Sequence, residues 1–167
     1  MRLLIHDANV LIDLLKLELL STALKLPYEI ETTDLVQSEI VETEQAEVLS
    51  QCIKNGLLLI HSTSEELLAI AAIKNQVSQL SIADCSVMHH AQTRSGILVS
   101  GDTRLRKEAE RRKLQVHGTP WLITCMVEEG VITAKLAIEK MKLLMQLNPR
   151  LPDKACKKLI EDWEKKI

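Results

Sequence analysis

The chain has 167 residues, 46% of them apolar, which is enough to bury the core of one ordinary domain and too apolar for a disordered segment. Its net charge of −2 gives no global excess of positive charge to advertise nucleic acid or an anionic membrane. No apolar run approaches the roughly 20 residues of a membrane-spanning helix, and the stretch Met1 to Asp7 reaches a charge too early for a signal-peptide core, so a soluble, cytoplasmic protein is expected.

Leu3-Leu4-Ile5-His6 is a short apolar run that stops at Asp7, as a buried strand does. Val10 to Lys25 reads as one helix ending before Pro27, and Tyr28 to Thr32 as a second strand. Leu35 to Lys54 reads as one acidic helix, with apolar residues at Leu35, Val36, Ile40, Val48, Leu49 and Ile53 and a stop at Gly56. Leu57 to Ile60 is a third strand. Thr63-Ser64-Glu65-Glu66 resembles a capping box, and Ser81 with Asp84 repeats the pattern for a helix reaching about Arg94. Ile97 to Ser100 is a fourth strand, followed by Gly101-Asp102. Thr103 to Lys113 is a charged helix and Gln115 to His117 a short fifth strand. From Gly118 the chain reads as all helical, with helices over 120–129, 133–147 and 153–165. Strands alternating with helices predict an α/β fold: three α/β/α layers around a parallel sheet of four to five strands, with a helical C-terminal tail. No repeat or low-complexity linker interrupts it. The expected organisation is a domain over residues 1–117 and a helical extension over 118–167 packed on the same domain.

Cys52, Cys85, Cys125 and Cys156 form no CxxC pair and read as reduced, buried residues. The five histidines make no zinc motif, and the adjacent pair His89-His90 points in different directions on a helix. Charge is unevenly spread. Residues 29–47 hold seven acids and no Lys or Arg, residues 94–113 seven bases against three acids, and residues 135–166 nine bases against five acids. Such a chain can set metal contacts beside phosphate contacts. Aromatics are too scarce for a base-stacking platform, so any nucleic acid must be held through its phosphates.

Parallel α/β sheets bind ligands beyond the carboxyl ends of their strands. Asp7 follows one strand directly, and Asp102 follows another after a single glycine. Asp84 lies in the first turn of a helix, and Glu39 about one turn into the acidic helix. Each has a purely structural explanation as a cap or a solvated residue. Together they are four acids that strand ends and converging helices can gather at one edge.

Asp7-Ala8-Asn9 after the first strand resembles the opening motif of PIN domains. Val36-x-x-Glu39 resembles their second acid, Ala83-Asp84-x-x-Val87 the third, and Val99-Ser100-Gly101-Asp102-Thr103-x-Leu105 the fourth. Order and approximate spacing agree over residues 2–117, and the helices after Gly118 are similar to a prokaryotic branch with a helical C-terminal segment. Glu42, one turn from Glu39, is the alternative second acid. The resemblance implies a metal-dependent endoribonuclease acting on RNA with Mg²⁺ or Mn²⁺, of the kind found as VapC-like toxins paired with a small antitoxin protein, and commonly a homodimer. Hydrolysis of a phosphodiester needs charge neutralised at the phosphate and hydroxide made near neutral pH, which carboxylate-held divalent ions supply. Asp7, Glu39, Asp84 and Asp102 are the expected catalytic and metal-holding residues. Asn9 is expected to fix Asp7 or meet substrate. Ser100 and Thr103 are expected to donate to a carboxylate or phosphate, and Arg104, Arg106 and Lys107 to meet the backbone of RNA. A haloacid-dehalogenase-type phosphotransferase needs an Asp where this chain has Asn9, and a receiver domain needs one where it has Ile60-His61-Ser62. The remaining alternative is a PIN-like protein- or RNA-binding module with weak or no nuclease activity.

Overall fold

The computed structural model describes residues 2–167. The chain runs through strand β1 (Arg2–His6), helices α1 (Ala8–Lys16) and α2 (Leu20–Ala23), β2 (Tyr28–Thr33), α3 (Asp34–Gln37), α4 (Thr43–Lys54), β3 (Leu58–Ile60), α5 (Ser64–Gln76), α6 (Ile82–Thr93), β4 (Ile97–Val99), α7 (Thr103–Arg111) and β5 (Val116–His117). It ends in α8 (Thr119–Glu128), α9 (Ala134–Leu147) and α10 (Asp153–Glu164). All pairings are parallel, in the order β3-β2-β1-β4-β5. β1 and β4 are apolar in nearly every position because helices cover both faces of the sheet. Leu4, Ile5, Leu98 and Val99 are fully buried. After β1 the strands are laid down outward on one side as β2 and β3, then on the other as β4 and β5. The order therefore reverses between β1 and β4, and a crevice at their carboxyl ends is where such sheets bind ligands.

Two helices expected as single pieces are broken. In place of one helix over 10–25, α1 stops at Lys16 and α2 starts at Leu20. Glu18 adopts φ 57°, and the Leu19 N–H bonds Leu14 O at 2.8 Å while Glu18 N–H bonds Leu15 O at 3.1 Å. This is a Schellman stop with glutamate where glycine is usual, so composition carries no sign of it. In place of one helix over 35–54, α3 is a single turn and α4 begins at Thr43. The segment between them, Ser38 to Glu42, offers only Ile40 to the core, and Val41 is largely exposed. The break moves Glu39 out of the expected helix to the segment just past α3.

The C-terminal helices belong to the same packed body. Leu122, Ile123 and Met126 of α8, Met141 and Leu144 of α9, and Cys156 and Trp163 of α10 are all buried. Thr119 at the head of α8 donates to Asp13 Oδ2 of α1 at 2.8 Å, out of solvent. All four cysteines are free and buried. No helix of the described residues is long and apolar enough to cross a membrane.

Candidate active site

Parallel pairing sets Asp7 beside Ser100. His6 is in register with Val99, and the Asp7 N–H extends the ladder to Val99 O at 3.0 Å. The Asp7 carboxylate accepts three bonds: Ala8 N–H to Oδ1 at 2.6 Å, and Asn9 Nδ2 and Ser100 Oγ to Oδ2, each at 2.7 Å. Asn9 turns its other end to the neighbouring strand, Oδ1 accepting the Gly101 N–H at 2.9 Å. One amide thus ties the ends of β1 and β4 together. A side chain at Gly101 would sit 3.3 Å from that Asn9 oxygen, which accounts for glycine there. Ser100 Oγ accepts the Asp102 N–H at 3.1 Å, and Asp102 Oδ1 caps α7 by accepting from Arg104 and Leu105, both at 2.9 Å. The cap uses Oδ1 and leaves Oδ2 for other partners.

Asp84 is brought in by α6. The Ser81 hydroxyl accepts the Asp84 N–H at 3.0 Å, and Asp84 Oδ2 accepts the Ser81 N–H at 2.7 Å, the reciprocal pair of a capping box. Two residues on, Ser86 Oγ meets Thr33 Oγ at 2.8 Å in a buried contact that pins α6 to the end of β2. Glu39 stands on the exposed rim just after α3.

The four carboxylates act on one another. Burial and then the charge of Asp84 raise the Asp7 pKa from 3.8 to about 7, against the pull of its bonds from Ser100 and Ala8; Glu39 adds to the rise. Burial raises Asp84 as well, opposed by Ser81 and reinforced by the charge of Asp102. Glu39 is raised by loss of solvent and by Asp84. Glu42 N-caps α4 without a side-chain bond. Of the two candidates for the second acid, Glu39 is the one whose charge acts on Asp7 and on which Asp84 acts. The four acids are not drawn as tightly as Glu66, His89 and His90, whose ligand atoms lie within 4.8 Å of one another, the one such group among the described residues.

The expected phosphate contacts divide. Thr103, Arg104 and Lys107 are exposed at the start of α7. Arg106 is committed inward, its Nη1 donating to Ser100 O at 3.0 Å. The sequence also gave no sign of two neighbours of this edge. His6 is fully buried with both ring nitrogens lacking hydrogen-bond partners, and burial lowers its pKa to about 4, so it is neutral. His117, at the end of β5, stacks on Trp121 with ring centroids 4.1 Å apart.

A family model described as DUF3368, PIN domain, matches residues 3–165. No curated protein matches the chain. Among solved structures, the fold is similar to VapBC-1 from nontypeable Haemophilus influenzae, with a TM-score of 0.51 and 14% identity over 70% of this chain and 98% of that one. The structure of VapBC2 from Rickettsia felis, bound to a DNA fragment from their promoter, matches with a TM-score of 0.47 and 14% identity over the same shares.

Proposed function

This chain belongs to the PIN-domain family, and from that premise we propose that it is a metal-dependent endoribonuclease, the toxin of a toxin–antitoxin pair. The observation that carries the reading is the grouping of Asp7, Glu39, Asp84 and Asp102 near the switch point of the sheet, where the charges of Asp84 and Glu39 act on Asp7, that of Asp84 on Glu39 and that of Asp102 on Asp84. The donor set fits the ion. Four carboxylates and no thiolate or imidazole are hard oxygen ligands, which suit Mg²⁺ or Mn²⁺. Their spacing, wider than one tight ligand shell, suits an ion that keeps several of its waters. A bound divalent ion supplies charge neutralisation at the phosphate and a water acidified toward neutral pH.

The protein's own contribution is orientation. Asp7 is fixed by Ala8, Asn9 and Ser100, and Asp102 by the first turn of α7, so neither side chain needs ordering when substrate arrives. Asp84 keeps Oδ1 clear of its capping bond. Thr103, Arg104 and Lys107 lie on the exposed start of the adjoining helix, where RNA phosphates would meet them. Arg106 supports the Ser100 carbonyl and serves position more than substrate contact. The antitoxin expected from the family would cover this edge with a basic side chain, best an arginine paired bidentately with the carboxylates. A homodimer is the expected assembly.

Purified protein should cleave RNA with Mg²⁺ or Mn²⁺, stop with EDTA, and lose cleavage in Asp7→Asn. Cleavage indifferent to EDTA would rule out the mechanism. No cleavage across many RNAs would favour the reading as a binding module.

A further inference from the structure

A second group of ligand atoms lies further along α6. His89 and His90 follow Asp84 by five and six residues, about 8–9 Å of helical rise. Adjacent histidines have no zinc-motif spacing, but the third member comes from another helix. Glu66, in the first turn of α5, brings its carboxylate to them, and one atom from each of the three lies within 4.8 Å of the others. A tetrahedral zinc shell needs ligands about 3.3–3.5 Å apart, so a bound ion would draw these atoms together by at most roughly 1.5 Å.

The hydrogen bonds around these residues leave the right lone pairs free. Glu66 Oε2 accepts the Thr63 N–H at 2.7 Å, which leaves Oε1 unspent, 3.9 Å from His90 Nδ1. His90 meets Ser62 Oγ through the opposite nitrogen, Nε2, at 3.2 Å. If Nε2 carries the proton, Ser62 accepts it and Nδ1 presents its lone pair to Glu66. That is the arrangement of a metal-bound histidine whose far nitrogen is held by an outer partner. The His90 side chain is 1% exposed, so its ring is held in place by the surrounding protein. The His89 ring stands edge-on to it, with centroids 5.2 Å apart. Asp34 lies near enough for its charge to act on His90, and its Oδ1 is buried without a partner.

We propose that Glu66, His89 and His90 bind one divalent transition-metal cation of the zinc class, at a site separate from the four carboxylates. Two imidazoles and one carboxylate prefer Zn²⁺, Co²⁺ or Ni²⁺ over Mg²⁺. Three protein ligands leave a fourth position for water. The ion joins the first turn of α5 to the second half of α6, the helix that carries Asp84. Nothing in this depends on cleavage of RNA.

The test uses the full chain stripped with chelator and titrated with Zn²⁺ alone by calorimetry, and with Co²⁺ by visible absorption. One Zn²⁺ per chain should bind. Asp84→Asn should retain it, while Glu66→Gln and His89→Ala should each weaken it at least tenfold and dim the Co²⁺ bands. Glutamine still closes a capping box and His89 is only partly buried, so both variants should fold, and metal-free melts verify this. Absence of Zn²⁺ binding by the wild-type chain overturns the proposal. So does binding that survives both substitutions, or that is lost in Asp84→Asn and kept in His89→Ala, which assigns the ion to the carboxylates.

Discussion

The Asp7 carboxylate accepts bonds from Ala8, Asn9 and Ser100, yet its pKa lies near 7 because burial and the Asp84 charge outweigh those donors. A carboxyl raised in the folded state holds a proton that the unfolded chain has already released between pH 3.8 and about 7. Folding is therefore helped below pH 4, and the help is lost as pH rises through 7. In EDTA, the melting temperature of the wild type should fall relative to that of Asp7→Asn between pH 4 and pH 8. The full shift corresponds to roughly 4 kcal/mol, an upper bound because Asp84 and Glu39 titrate with it. A difference that does not change with pH, or a wild type that gains on Asp7→Asn as pH rises, would contradict the coupling. At this scale the sequence was informative about placement, setting Asp7, Asn9, Ser100 and Asp102 just past the ends of β1 and β4. It left Glu39 and Glu42 unresolved because the choice depends on where a helix breaks. It gave no hint of Glu66 beside His89 and His90, since the 22 residues of chain between Glu66 and His89 carry no spacing rule.

The element that places Asp84 is a helix cap, so the cap and the site are one structure. Asp84 bonds the Ser81 backbone through one oxygen and keeps the other for its fellow acids. The structural and functional readings of that residue are therefore compatible. Ser81→Ala removes the hydroxyl that accepts the Asp84 N–H. It should cost about 1 kcal/mol of stability, as loss of a serine cap typically does. If α6 orients Asp84 for metal, the same variant should also need more Mn²⁺ to be stabilised. A melt lowered with Mn²⁺ response unchanged would show that the cap serves the helix alone. The strands were readable to within a residue or two: β1, β3 and β4 are compact apolar runs, and β2 and β5 are short segments between turn or charged residues. Both helices read as too long break without glycine or proline: one at Glu18, in the left-handed conformation, the other over 38–42, where only Ile40 reaches the core.

Across the whole molecule, the helices after Gly118 complete the fold rather than append to it. They bury Leu122, Met126, Met141, Leu144 and Trp163, and Thr119 satisfies a carboxylate of α1. We expect residues 1–117 and 118–167 to melt as one unit. A chain ending at Gly118 would leave Asp13 without its buried donor, at a cost of about 1–3 kcal/mol, and would expose the core beneath α8. It should lack a cooperative thermal transition; a native-like melt of that fragment would instead show a self-sufficient domain. The central strand has its own history. β1 is made first, but the serine that fixes Asp7 lies 93 residues later. At typical rates of synthesis that interval is on the order of 10 s. A growing chain thus holds Asp7 and Glu39 long before Asp84 and Asp102 exist. If the carboxylates do cut RNA, the order of strands in the sheet delays the cutting edge until β4 has been made.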